Sequence, residues 1–371
     1  MIDFRYHLVS LISVFLALAV GIALGAGPLK ETIGDTLTGQ VDQLRVEKEQ
    51  LRAELDAATA DLTSTEAAFA AAAPALLDGV LGERRIAVVE LGDVRPEALD
   101  QVRERIGQAG GTVSATVQVT DKWNDPAERS FRQSLAGSLL EYLDPAPAQD
   151  AGTGTELAEA LAQALTTSVP TEPDVLSEDA GLMLELLSEA GLVVVDGDVT
   201  APADAIVLLA GPTVSVEEVA EVDPSENPEE ATADAELLDA QIGAAMQIAT
   251  AAQARSAGAV VAGGELTEPS LVERIRADET TVSTISTVES VHVVVGQVSV
   301  PLALSASIGG TVGHYGPSAD ATAAFPPRVV LTTIIRVAQE PVTPPADAGA
   351  ATETQEDAGT GTETGQGTDQ G

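Results

Sequence analysis

Cysteine is absent from the 371 residues, which excludes disulfides, thiolate metal sites and thiol nucleophiles together. Aromatic residues make up only 2%, so a core has to be assembled from alanine, valine, leucine and isoleucine. Basic residues are scarce too. Eighteen lysines and arginines stand against 58 aspartates and glutamates, a net charge of −40. Such a chain is repelled by nucleic acid and by anionic lipid, and it gathers cations only diffusely. No nucleic-acid partner is expected. The chain also lacks a Walker A loop, a G-x-S-x-G elbow, H-E-x-x-H and C-x-x-C. Gly152-Thr153-Gly154 follows a proline-containing joint and not a strand, so it fails as a dinucleotide turn. Neither an enzyme nor a cofactor is expected.

What the chain does possess is one long apolar run. Residues 8–27, from Leu8 through Phe15 to Gly27, carry no charge. As a helix rising about 1.5 Å per residue, twenty residues cover about 30 Å, the hydrocarbon thickness of a bilayer. A cleaved signal peptide is the rival expectation, but its apolar region is shorter and its head more basic. Here Arg5 is offset by Asp3, while Ala23, Gly25 and Ala26 resemble a cleavage site. The expectation is a retained, single-pass plasma-membrane anchor. Residues 1–7 form a cytoplasmic head, and the bulk lies outside the cytoplasm.

Beyond Gly27-Pro28, residues 28–73 are expected to form a coiled coil, with a heptad appearing from Thr36. Val41, Lys48, Leu55, Leu62 and Phe69 fall at a, and Leu37, Leu44, Leu51, Ala58 and Thr65 at d. Most of these positions are apolar, which predicts a coiled-coil seam ended by Pro74. Lys48 at a limits register, and Glu47 at g would meet Arg52 at e of a parallel partner. A homodimer is therefore expected; the alternative is an amphipathic helix lying on its own domain.

Residues 83–339 alternate short aliphatic runs with helical stretches. Strands are expected at 85–91, 112–119, 192–195, 205–210, 259–262 and 282–285. Helices are expected at 96–109, 127–143, 155–167, 174–190, 236–257 and 269–277. That alternation predicts an α/β domain with a mostly parallel sheet. Residues 291–304 are ambiguous between a strand pair and a helix, with Pro301 against either. The acidic stretch 217–236, with nine carboxylates and no base, reads as a solvated loop. Residues 340–371 hold no large apolar side chain beyond Val342 and read as a disordered tail.

Metal donors are few. His7 sits at the membrane boundary, and His292 lies between two valines as a half-buried strand residue would. Only His314 has a distinctive setting, in Gly313-His314-Tyr315-Gly316, where glycines permit close backbone approach or positive φ. Its bland interpretation is a tight turn whose polar groups satisfy one another. With no cysteine and Met1, Met183 and Met246 dispersed, the residues predict no tight copper site, because copper(I) takes thiolate or thioether ligands and copper(II) imidazole.

Two stretches carry a family likeness: DFRYHLVSLISVFLALAVGIALGAG with the heptad after it, and GGTVGHYGPSADATAAFPP. In order and layout residues 1–335 resemble the actinobacterial copper transporter MctB family. The resemblance implies an envelope protein in copper homeostasis or transport, and copper enters as a partner through it alone. The alternative is a dimeric coiled-coil scaffold or regulator that binds another envelope protein, such as cell-wall hydrolase or division machinery.

Overall fold

Aliphatic runs bounded by glycine, proline or acidic residues become the strands of one sheet. The computed structural model describes residues 4–26, 28–211, 228–264 and 270–338. The sheet contains β1 (Arg85–Leu91), β2 (Thr112–Val119), β5 (Val193–Val195), β6 (Ala205–Ala210), β7 (Ala259–Gly263), β8 (Ser286–Val288) and β9 (His314–Tyr315). Their order is β5-β2-β1-β6-β7-β8-β9. Every neighbouring pair is parallel except β2 and β5, which are antiparallel. The short strands β3 (Ser168–Val169) and β4 (Glu172–Leu176) form a separate hairpin.

Parallel strands bury both faces, and alternation along β1 shows how the sequence serves both. Ala87, Val89 and Leu91 enter one core, and Ile86 and Val88 the other. The first core is roofed by α4 (Arg129–Leu139), α5 (Thr153–Thr166), α6 (Glu178–Glu189), α7 (Pro228–Arg255) and α8 (Leu271–Ala277). The second is roofed by α3 (Pro96–Gln108), α9 (Val294–Ile308) and the end of a long helix, α2 (Pro28–Leu77), which delivers Ala73 and Leu77. The apolar helix α1 (Phe4–Ala26) precedes α2. The result is a doubly wound domain on a helical stem of 50 residues, about 75 Å long at 1.5 Å per residue.

Several segments depart from expectation. Pro74 does not end α2, which runs on to Leu77. A proline forfeits one helical hydrogen bond, but burial of Ala73 and Leu77 holds the last turn, and the Asp78 N–H closes it on the Pro74 carbonyl at 3.0 Å. The same logic settles residues 291–304. Gly296 through Ser307 are buried against the sheet, so the segment is helical despite Pro301 inside it. Residues 281–283 form a tight helical turn, and the neighbouring strand starts at Ser286. Residues 174–176 belong to β4, and the helix after them starts only at Glu178, where the Ser177 hydroxyl accepts from the Ala180 N–H. Of the acidic stretch, residues 228–236 belong to α7, whereas 217–227 lie outside the described residues. So do Gly27 and the expected tail from 340 onward.

Strand order reverses between β1 and β6, and doubly wound sheets bind ligands in the crevice beyond that point. Among the described residues, backbone fills it. The Gly211 N–H bonds the Leu91 carbonyl at 2.8 Å, and a Cβ on Gly211 would overlap the Asp93 main chain.

Candidate functional site: anchor, stem and glycine-bracketed turn

The first element is α1. Phe4–Leu24 has a mean hydropathy of 2.4 with none of it buried in the chain. Leu8 and Phe15 are both exposed. A helix apolar all round has to be covered by something, and its length suits a bilayer.

The stem repeats the problem on a narrower stripe. Val41, Leu44, Leu51, Leu55 and Leu62 are exposed large apolar residues, and Lys48 is exposed among them. Leu37 lies within α2. Only at its far end does the heptad enter the domain. Phe69, an a residue, is half-buried and stacks edge-to-face on Phe325 with ring centroids 5.9 Å apart. Gln43 donates to Glu47 and Gln50 to Glu54, each at 2.9 Å, bracing exposed turns of the helix.

The turn at 313–316 is built by residues that carried no sequence signal. His314 is buried in β9, and its imidazole is held at both nitrogens. The Thr287 hydroxyl donates to Nδ1 at 2.9 Å, and Nε2–H donates to the Val282 carbonyl at 3.0 Å. A carbonyl only accepts, so the proton sits on Nε2. Desolvation by burial lowers the imidazole pKa from its ordinary value. The Val282 bond opposes that shift, the Arg276 charge adds to it, and Asp320 opposes it. The ring is a neutral brace with its lone pair engaged.

A buried ion pair lies beside it. The side chain of Arg276, on α8, pairs with that of Glu289, at the end of β8, and neither is accessible beyond 4%. Arg276 Nε also donates to the Thr287 hydroxyl at 2.9 Å, continuing the chain to His314. Ser318 bonds Glu289 through both its hydroxyl and its N–H. Arg276 further reaches Ser318 at 2.8 Å and Asp320 at 3.3 Å. Removing one member of such a pair strands the other charge in a dry site, at about 3–5 kcal/mol.

Both glycines of the motif follow from this packing. A Cβ on Gly313 would overlap the Tyr315 phenol, and one on Gly316 would overlap the Glu289 carboxylate. Gly316 also has φ +148°, which side chains rarely adopt. Chemically, the arrangement locks the edge strand and the loop after it to the sheet. It does not offer a free ligand.

The remaining donors do not converge. Met183 is fully buried in the first core, Met246 packs against it, and His7 is exposed on α1. His292 is exposed in a turn before α9, not half-buried in a strand. Among the described residues no group of three or more His, Asp or Glu side chains is placed to hold a metal ion. As a donor set for copper, the imidazoles and thioethers of the domain do not fit.

An apolar helix, a long stem and a doubly wound domain closed by a buried ionic turn define a class: a membrane-associated α/β protein on a helical stalk. The family model described as copper transport outer membrane protein, MctB, matches residues 1–326, and the chain belongs to that family. A copper transporter MctB of Mycobacterium tuberculosis is 27% identical over 322 residues, covering 85% of this chain and 96% of that protein. Its counterpart in Mycobacterium leprae is 29% identical over 343 residues, covering 88% of this chain and all of that protein.

Proposed function

We propose that this chain is a membrane-anchored envelope protein with a copper-related role, acting as a parallel homodimer. The observation that carries the copper assignment is the family match, which runs from the apolar helix through the glycine-bracketed turn. The open, mostly parallel sheet, roofed by helices on both faces, differs from the closed antiparallel barrels of outer-membrane proteins. Membrane contact therefore falls to Phe4–Leu24, with the N-terminus cytoplasmic and the domain outside. Among the described residues of the domain, no donor set is assembled for copper as cargo. Its passage or buffering then belongs to the assembled envelope machinery, with this chain as a tethered component.

The direct test is copper tolerance and cell-associated copper, measured by mass spectrometry of ashed cells, in a strain deleted for the chain. Deletion lowers tolerance and raises retained copper, and the full chain restores both. Unchanged tolerance and copper content would remove the copper assignment. A reporter joined after Ala338 should be active only when exported. For the dimer, a soluble fragment spanning 30–339 should sediment as twice its mass at tens of micromolar. Leu44→Asp with Leu51→Asp should return it to a folded monomer.

A further inference from the structure

Residues 324–338 leave the turn and run past the amino-terminal ends of β1 and β6, held there by side chains. Phe325 packs on Phe69. Arg328 donates to the Asp78 carbonyl at 2.6 Å, and Arg84 donates to the Thr332 carbonyl at 2.9 Å. Arg336 donates to the Glu83 carbonyl at 3.0 Å and pairs with the Asp204 carboxylate. That carboxylate also accepts from the Arg85 N–H at 2.7 Å. The main chain is different. Among the described residues, no backbone-to-backbone hydrogen bond involves residues 324–338. Apart from the Thr332 carbonyl, which Arg84 occupies, this row of amides and carbonyls without backbone partners is a ready template for another strand.

The composition of this strap matches that template. Residues 329–335, VVLTTII, contain no charge, glycine or proline, and every one except Leu331 is β-branched. Val329, Leu331, Ile334 and Arg336 are half-buried, while both threonines are exposed. Val330 is 90% exposed, Ile335 78% and Val337 70%. A strand this apolar, left single, is an aggregation hazard that a soluble domain does not ordinarily present.

The occupant that fits is a second copy of this chain. The strap begins at Phe325, seated on Phe69, and Phe69 occupies a position of the stem heptad. The strap therefore starts where the stem stripe enters the domain, so pairing of two stems brings two straps together. In a chain of net charge −40, this uncharged run is a place where two copies can meet without like-charge repulsion. Charge also selects the register. Antiparallel pairing about Thr333 sets Arg328 opposite Ala338, and Arg336 opposite Val330. Pairing about Thr332 would oppose Arg328 and Arg336 directly, which is unfavourable.

We infer that residues 328–338 of two copies pair as an antiparallel two-stranded ladder centred on Thr333, joining the domains of the dimer. The ladder rests on the stem-paired dimer proposed above, and the following experiment separates the two. Because the chain has no cysteine, single substitutions report single contacts. In the full chain in native membranes, Thr333→Cys reports the strap, Leu51→Cys the stem, and Ser130→Cys, exposed on α4, random collision. Residues opposed across a ladder have Cα atoms about 4.5–5.5 Å apart, within reach of a disulfide.

Diamide oxidation followed by non-reducing electrophoresis should give dimers for Thr333→Cys and Leu51→Cys and none for Ser130→Cys. Dimer from Leu51→Cys with Thr333→Cys no higher than Ser130→Cys overturns the ladder and leaves the stem dimer standing. Neither forming overturns both. Thr333→Cys alone forming supports the ladder and overturns stem pairing. Adding Val330→Arg to Thr333→Cys places two arginines opposite each other at each end of the ladder and should cut the yield at least ~fivefold, as like charges directly opposite are destabilising. An unchanged yield overturns the register and with it the proposal.

Discussion

Leu51 and Leu161 are the same residue in the same kind of element, and their surroundings are opposite. Leu161, on α5, is fully buried in a core shared with the sheet, whereas Leu51, on α2, is exposed. The difference extends to whole regions. The α/β domain finds cover for its apolar side chains inside one chain. Among the described side chains, those of α1 are uncovered all round the helix, and those of α2 from Val41 to Leu62 along one stripe. Burial of a leucine contributes about 1.5–3 kcal/mol, so an exposed series of them marks surface made for something else: as we propose, lipid for α1 and a second chain for α2. The strap at 328–338 belongs with these helices in this respect, although it lies on the domain.

The contrast breaks most visibly in a pair of truncations. Leu161→Ala should destabilise the domain by about 2–5 kcal/mol, the cost of lost burial plus a cavity, read by chemical denaturation. Leu51→Ala should leave the same transition within about 0.5 kcal/mol, because the domain does not use that side chain. Equal effects would mean that the stem packs on its own domain after all.

A smaller effect sharpens the comparison within the domain, between glycines with a close neighbour and glycines without. Gly316→Ala forces a methyl toward the buried Glu289 carboxylate and should cost about 1–3 kcal/mol. Gly137 lies mid-helix in α4, where an added Cβ would meet nothing within 4 Å, so Gly137→Ala should stabilise by about 0.5–1 kcal/mol. Melting of the two variants side by side checks both signs.

The smallest expected effect is a pH slope. His314 is held neutral, with its folded pKa below the unfolded value of 6.5. The unfolded chain therefore binds more protons in the window just below 6.5. Stability is fully present above that pH and falls as pH drops from 6.5 toward the folded pKa. Glu90 works the other way. Desolvation raises its pKa from 4.5, against the Arg103 charge and with Asp196 adding to the rise, so it favours the folded state as pH falls. Asp320 acts lower still: a Ser318 hydrogen bond, above all, lowers its pKa from 3.8, so its contribution is lost only in stronger acid. His314→Gln should flatten the slope between pH 7 and 5.5 in denaturant titrations. A slope as steep as in the unsubstituted chain would mean that His314 does not titrate on unfolding.

Much of the architecture was written locally. A charge-free run long enough for a bilayer, a heptad along the stem, and aliphatic runs alternating with amphipathic helices are properties of neighbouring residues. They therefore showed without any tertiary contact. Where the assignment of elements was ambiguous, the ambiguity sat on segments whose local preference conflicts with their burial. Pro74 and Pro301 are helix breakers by propensity, and both stand inside helices: burial of Ala73 and Leu77 against neighbouring helices holds the first, and burial of Gly296 through Ser307 against the sheet holds the second. The strand at 286–288 starts a few residues later than the sequence predicts because a helical turn at Thr281–Ser283 takes up Val282.

The turn shows the same division most sharply. By itself the sequence determined that glycines bracket His314 and Tyr315, that no thiol exists, and that an apolar helix precedes a heptad. Only the tertiary structure decided that Thr287 and Val282 occupy the imidazole, and that Arg276 and Glu289 form a buried pair beside it. Thr287 and Val282 stand 27 and 32 residues before His314. Nothing in the local pattern of Thr287, Arg276 and Glu289 distinguishes them from surface positions, because a charged or polar side chain acquires its burial only when the chain folds over it. Alternation and periodicity report on neighbours along the chain, whereas desolvation and hydrogen bonding report on neighbours in space.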